Sequence, residues 1–267
     1  MATVTLTPIK VPELMFEGYS ITPDAFAGKT AAQIAELPGH EGKFVLKLGD
    51  FFTVSGNGGE TAADTDIVIN GDCTRVKYIG SKMTAGSVTV NGNADMYVGG
   101  WMKGGKIHIK GNMDSFCGIQ MEGGELICDG DAKNHVGCAY RGDWRGMKGG
   151  LIRIKGSAGN DIGTAMLGGT IIIEKDAFIH VSTHAEGGTV IVKGDVEGRV
   201  GGQMVKGEMY VLGQIKFMLP GYKKVDQVKK ECDGATYTFD HYIGDLGERH
   251  PKSKGQVVYA NLYLKAA

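Results

Sequence analysis

His135, Asp161, His180 and Arg199 fall at the same phase of an internal repeat. If the repeats stack at strand spacing, about 4.7–4.9 Å apart, Asp161 lies between two imidazoles with a guanidinium next in line, the nearest thing in the chain to a catalytic constellation. The two histidines would stand about 10 Å apart, whereas zinc takes nitrogen ligands at about 2 Å, so the set reads poorly as a metal site. The column continues into Tyr97 and Phe116 on one side and Met218 on the other. It is then either a polar ladder facing solvent or a partner, or a reactive site. His180 and His184 are four residues apart but straddle a corner between strands. No H-E-x-x-H, G-x-S-x-G or Walker text is present. G-x-G-x-x-G text carries no phosphate signal where glycine recurs every few residues. Neither outward column supplies the close carboxylate pair that glycoside cleavage requires.

The second candidate set is GCAYRGDWRGMKGG, Gly137 to Gly150. Tyr140, Arg141, Trp144 and Arg145 surround Asp143, and Tyr, Trp and Arg dominate the energetics of protein interfaces. Three readings are open. The stretch docks a partner, or it forms a self-contained knot in which Asp143 pairs with an arginine and Trp144 folds onto the chain's own wall, or it assists at a neighbouring subunit's substrate site.

Both sets are placed by the repeat. Met83, Met102, Met121, Met147, Met166, Ala185 and Met204 mark one slot at spacings of 19, 19, 26, 19, 19 and 19. Around it the text reads G-x-x-M-x-x-G-x-[IVLM]-x-[IVC]-x-G, with a weaker earlier copy, DIVINGDCTRVKYIG, two residues out of step. One copy cannot fold alone. Ordering it costs roughly 1–2 kcal/mol per residue, and four or five buried aliphatics return only about 1.5–3 kcal/mol apiece. Copies must therefore stack. β-branched residues at period two, with glycines between them, predict an all-β fold. The expected architecture is a parallel β-helix (β-solenoid) of about seven to eight coils over residues 44–222, with a 19-residue period.

Val88, Ile107, Leu126, Ile152, Ile171, Val190 and Met209 form one inward column, and Val90, Ile109, Cys128, Ile154, Ile173, Val192 and Val211 a second. A third runs Val98, Cys117, Val136, Ile162, Val181, Val200 and Leu219. Between the first two lies an outward column whose later half is apolar inside a charged rim, as a contact surface is. A partner subunit meets it, at Ile127, Ile172, Ile191 and Tyr210, or the chain's own terminal arms cover it, or its apolar character reflects β propensity alone.

The ends differ in kind. Residues 1–43 are expected to be an arm or cap with a short helical segment, because Thr22-Pro23 is a helix start and TAAQIAELPG from Thr30 reads as a helix stopped by Pro38 and Gly39. A sheet end needs such a cover. Residues 223–267 read as a tail, with KKVDQVKKECDG basic and polar and GQVVYANLYL an alternating strand. A net charge of -1 gives no footprint for nucleic acid or an anionic membrane, and no apolar run nears the roughly 20 residues of a membrane span. Five cysteines without C-x-x-C suggest neither a disulfide framework nor a zinc knuckle. The expected location is the cytoplasm.

Together with the repeat, FAGK at Phe26–Lys29, LKLGDFF at Leu46–Phe52 and YRGDWRGM at Tyr140–Met147 make the chain resemble the C-subunit of formylmethanofuran dehydrogenase from methanogenic archaea. The glycine pattern alone is similar also to the C-terminal β-helix domain of the glutamate synthase large subunit. The resemblance implies a non-catalytic scaffold in an oxidoreductase complex of methanogenesis, one that reduces carbon dioxide and condenses the formate with methanofuran. It implies two partners, a pterin-bearing catalytic subunit and an amidohydrolase-like subunit. Tungsten or molybdenum pterin, iron–sulfur clusters and an amidohydrolase-like metal site would belong to the complex, with no cofactor on this chain. The corresponding subunit of a formyltransferase/hydrolase complex is similar too. A reading of another class, a free-standing β-solenoid enzyme or binding module, would use the His135, Asp161, His180, Arg199 ladder.

Overall fold

Each repeat contributes one short strand, and pairing between repeats turns the periodicity into a ladder. The computed structural model describes residues 1–249 and 257–266, with side chains for all of these except 245–249. The described residues are mostly strands, with few helices, in three sheets. In the largest, of 13 strands, eight parallel strands follow in chain order: Thr65–Ile69, Ser87–Val90, Lys106–Ile109, Glu125–Cys128, Leu151–Ile154, Thr170–Ile173, Glu186–Val192 and Lys206–Val211. Val88, Ile107, Leu126, Ile152, Ile171, Val190 and Met209 are paired directly from strand to strand, and all are buried. The methionine slot is buried as well. Close stacking depends on the paired glycines. At Gly124 (φ +86) an added Cβ would lie 2.6 Å from Met102 Cε and 2.7 Å from the Gly105 carbonyl oxygen, and only glycine combines that φ with that approach.

A second ladder consists of single bridges, Cys73–Ala94–Met113–Ala132–Ala158–Ala177. It widens into the three-stranded sheet of Ala177–Ile179, Val196–Gly198 and Ile215–Phe217. The inward side chains form one continuous cluster from Val4 to Leu262. Leu219 departs from its expected column: Val98, Cys117, Val136, Ile162, Val181 and Val200 are buried, but Leu219 is only half-buried. No further copy follows to pack on it, and the Tyr222 hydroxyl donates to the Val200 carbonyl at 3.1 Å.

Both ends of the ladder are extended by chain outside the repeat. Ala2–Pro8 pairs in parallel with Thr65–Ile69 and antiparallel with Phe52–Ser55. The helices Pro23–Phe26 and Ala31–Ala35 start at Thr22, whose Oγ1 accepts from the Ala25 N–H at 3.1 Å, and at Thr30, which forms a capping box with Gln33. Pro38 opens a strand, Pro38–Glu41. At the other end Val257–Lys265 continues the ladder in parallel with Lys206–Val211, and Ala235–Arg249 and Lys223–Cys232 follow as an antiparallel hairpin. Of the strand expected in GQVVYANLYL, Gly255 and Gln256 lie outside the described residues.

The hairpin turns through Asp233 (φ +47) and Gly234 (φ +78), the two-residue turn that suits Asp-Gly, and it covers the outward apolar column. Cys232, Phe239 and Tyr263 pack on Ile172, Ile191 and Tyr210, which are left 3%, 5% and 4% exposed. Asp233 ties the turn down, 2.6 Å from Arg153 Nη2 and 2.7 Å from Lys193 Nζ. Lys230 Nζ stands 4.0 Å above the Tyr263 ring. Three of the four residues weighed as partner contacts, Ile172, Ile191 and Tyr210, are therefore occupied by the chain's own C-terminal strands, which continue the same sheet and need no partner to do so. Ile127, further from that end, stays half-buried.

Candidate functional site

Between the two ladders each repeat turns a corner through a left-handed residue. Tyr78, Tyr97, Phe116, His135, Asp161, His180 and Arg199 have φ between +54 and +66. For a residue with a side chain this conformation costs roughly 1–2 kcal/mol, and glycine would avoid most of that. The side chains are stacked instead. Ring centroids are 4.7 Å apart for Tyr78–Tyr97, 5.2 Å for Tyr97–Phe116 and 4.6 Å for Phe116–His135. An aromatic pair returns about 0.5–1.5 kcal/mol beyond what burial of the rings contributes, enough to offset the backbone cost, and the stack also forms a continuous surface.

Past His135 the column becomes polar. Asp161 lies 3.9 Å from His135 Nδ1 and 3.5 Å from His180 Nδ1, and Arg199 Nη1 is 3.2 Å from His180 Nε2. Burial lowers the His135 pKa, Asp161 opposes that shift and Arg141 adds to it. The four ladder residues are thus brought together in the expected order. The two carboxylate–imidazole separations exceed hydrogen-bond contact, so no continuous chain of hydrogen bonds runs through Asp161.

Four residues further along the chain runs a second left-handed column, Lys82, Trp101, Gln120, Ala165, His184 and Gln203. The seven-residue insertion interrupts it after Gln120 and is anchored to it. Trp101 Nε1 donates to Gln120 Oε1 at 2.6 Å, and Gln120 Nε2 donates to Asp143 Oδ2 at 2.7 Å and to the Arg145 carbonyl at 2.8 Å. Asp143 Oδ1 accepts from the backbone N–H groups of Trp144 and Arg145 at 2.7 and 3.2 Å. The Gln120 bond, with those two amides, holds the Asp143 carboxyl below its usual range. Asp143 is therefore bonded to an amide side chain and backbone, not to an arginine as the knot would have it. Tyr140 leans on Trp101, at 5.6 Å between centroids, and Arg141 lies 5.7 Å from the Phe116 centroid. Trp144 is not folded onto the wall: it is 77% exposed and meets only the edge of His184. Neither Arg141 nor Arg145 forms an ion pair among the described residues.

The insertion and the ladder enclose a cavity of about 240 Å³ lined by Phe116, His135, Tyr140, Trp144, Asp161 and His184. Cys138 also lines it, but burial pushes its thiol up to about 12, which leaves little nucleophilic thiolate. Among the described residues no three His, Cys, Asp or Glu side chains are placed to hold a metal ion. Sequence reasoning missed Tyr78, Trp101 and Gln120. Trp101 and Gln120 precede the marker methionines by one residue, a column that could have been read. Tyr78 lies 19 residues before Tyr97 and in register with it, although the strand that opens its copy is two residues out of step.

No protein-family model matches the chain. It is 49% identical over 243 residues, 88% of each chain, to the C-subunit of the tungsten-containing formylmethanofuran dehydrogenase 2 of Methanococcus maripaludis. It is 46% identical over 96 residues to the corresponding subunit of Methanothermobacter thermautotrophicus, 36% of each chain. The C-subunit of the molybdenum-containing formylmethanofuran dehydrogenase 1 of Methanosarcina barkeri is also 46% identical over 96 residues, 32% of its length. The chain thus spans about a third of the length of the latter two relatives and most of the first. A solved structure, the formyltransferase/hydrolase complex from Methylorubrum extorquens with methylofuran, contains a chain of the same fold, with a TM-score of 0.84, 24% identity and coverage of 98% and 100% of the two chains. On the near full-length identity to the Methanococcus relative, this chain belongs to the family of formylmethanofuran dehydrogenase C-subunits.

Proposed function

We propose that this chain is a non-catalytic scaffold subunit of a formylmethanofuran dehydrogenase complex, in the cytoplasm. The observation that carries the reading is the 49% identity over 88% of the chain to the C-subunit of a tungsten-containing formylmethanofuran dehydrogenase. Residues 44–222 wind as a β-solenoid of 19-residue coils, a reading supported by the eight parallel strands in chain order and the bridge ladder beside them. Residues 1–43 act as the cap and 223–267 as a tail that closes one flank. The resemblance implies that reduction of carbon dioxide and condensation with methanofuran take place on the partners, a pterin-bearing subunit and an amidohydrolase-like subunit. Tungsten or molybdenum pterin, iron–sulfur clusters and the amidohydrolase-like metal site would be held there. The described residues of this chain offer no metal-ligand set, so no step is assigned to a metal on it.

The insertion is the docking point in this reading, with Tyr140, Arg141, Trp144 and Arg145 outward and Asp143 holding the loop in shape. The test is assembly of the tagged chain with the metal-bearing subunits, followed by turnover measurements on His135→Ala and Asp161→Ala complexes. Stoichiometric assembly with turnover retained supports the scaffold. A second reading, a small-ligand module, draws on the cavity beside the ladder. A chain that stays monomeric, binds a small ligand and loses it on either substitution would replace the scaffold reading.

A further inference from the structure

The aromatic edge continues past the insertion into a groove of about 910 Å³ between the N-terminal arm and the first two repeats. Glu17, Tyr19 and Asp24 line it from the arm, and Tyr78, Lys82 and Trp101 from the repeats. The strand Phe16–Glu17 pairs with Val76–Lys77, which sets Glu17 beside the start of the aromatic stack. We propose that this groove binds a partner subunit by seating one of its arginine side chains between the Glu17 carboxylate and the rings of Tyr19, Tyr78 and Trp101. The proposal rests on the reading of the chain as a subunit and names the contact.

The charge of the groove points to a cation. Asp24 is already bonded, accepting from the Thr84 N–H at 2.9 Å and the Thr84 hydroxyl at 2.5 Å. Glu17 is half-buried and forms no ion pair among the described residues, although Lys77 lies cross-strand from it and Lys82 stands exposed at the rim. A half-buried carboxylate beside ring faces is a poor place for an anion and a good one for a cation, which both the carboxylate and the ring quadrupoles attract. The Tyr78 hydroxyl is pushed up to about 12, first by burial and then by Tyr97 and Glu17, so it stays a neutral ring for the cation to face.

The chemistry favours a guanidinium over an ammonium. Tyr78 is held in place by stacking on Tyr97, 4.7 Å between centroids and 7° between planes, and beside a fixed ring and a carboxylate a guanidinium can both stack and fork, which an ammonium cannot. The occupant belongs to a protein because the groove is continuous with the insertion through the Trp101–Tyr140 contact. Along that edge Glu17, with Lys82 exposed at the rim, marks the groove end, and Arg141 and Arg145 stand at the other. A partner surface with a basic residue at the groove and an acidic one at the insertion matches both ends, and such matching sets register and partner choice.

The test uses the assembled complex. Glu17→Lys is expected to weaken assembly with the partner subunits at least tenfold and Glu17→Gln by less, with the melting temperature of the isolated chain unchanged in both. Carbodiimide labelling of carboxylates followed by mass spectrometry is expected to modify Glu17 in the isolated chain and to spare it in the wild-type complex. If the wild-type chain assembles and Glu17→Lys assembles equally well, or if Glu17 is labelled equally in both states, the groove contact is overturned while the subunit reading stands. If the wild-type chain itself fails to assemble, the subunit reading falls and the groove contact falls with it.

Discussion

Two outward columns of the same repeat meet different fates. Ile172, Ile191 and Tyr210 sit mid-strand, near the end of the repeat's ladder, whose last strand, Lys206–Val211, would present an open edge without the C-terminal strands. An open edge recruits further strands, and Val257–Lys265 with its hairpin supplies them, so the apolar column is closed by the chain itself. Tyr78, Tyr97 and Phe116 sit at corners where consecutive turns already bond to each other, as Tyr78 N–H does to the Met96 carbonyl and Tyr97 N–H to the Ser115 carbonyl. The corner amides there are already used between turns, so strands are not added; Tyr78 and Tyr97 stay half-buried, Phe116 is buried, and the insertion above them is exposed. An apolar column beside a free edge is thus closed from within. An aromatic column at bonded corners is covered by side chains and not by added strands, here in part by Tyr140 and Arg141 of the chain's own insertion.

Substitutions on the closed face should act on the chain's own stability. Phe239 is fully buried under the hairpin, and Phe239→Ala is expected to cost about 3–5 kcal/mol in urea unfolding of the isolated chain. A loss below about 1 kcal/mol would mean the hairpin is not docked. Asp233 gives the next largest effect. Its carboxyl is held down to about 2 by its hydrogen bond to Arg153 and further by Lys193. A depressed acid contributes its stability above the unfolded value of 3.8 and loses it as the pH falls through about 2. The contribution near neutrality is about 2 kcal/mol. Unfolding of wild type and Asp233→Asn should therefore differ at pH 6 and converge near pH 2, and a gap independent of pH would contradict the ion-pair account.

Substitutions on the open edge should reverse the order of effects. Trp144→Ala is expected to change the stability of the isolated chain by less than about 0.5 kcal/mol while reducing assembly clearly; the opposite order would return the insertion to a self-contained knot. The smallest effect is a titration. Burial lowers the His135 pKa against the pull of Asp161, so Asp161→Asn should lower it further in an NMR titration. A rise would show that the ladder is not coupled as its geometry indicates.

The strand register, the inward columns and the order of the polar ladder were legible in the sequence because a strict period fixes phase, and phase fixes which side chains become neighbours. The cover on the apolar column was less legible. KKVDQVKKECDG read as a polar tail because its charges hid the turn, yet Asp233-Gly234 between alternating residues is a strong hairpin signal. Only one of the three open readings of the insertion, the knot, paired Asp143 with an arginine, on charge alone. The actual partner, Gln120, comes from the preceding repeat, and that contact depends on how the loop folds back, which spacing does not encode. The groove at Glu17 was invisible for a similar reason, since it joins the repeat to an arm outside it, whose position no spacing encodes.

The central claim, that the aromatic edge and not the hairpin face meets the partner, is tested most directly by hydroxyl-radical footprinting of the isolated chain against the assembled complex. The account predicts that Trp144 and Tyr140, 77% and 43% exposed in the chain alone, lose reactivity on assembly while Tyr259 on the C-terminal strand keeps it. Protection at Tyr259 or Phe217 with Trp144 and Tyr140 unchanged would contradict it.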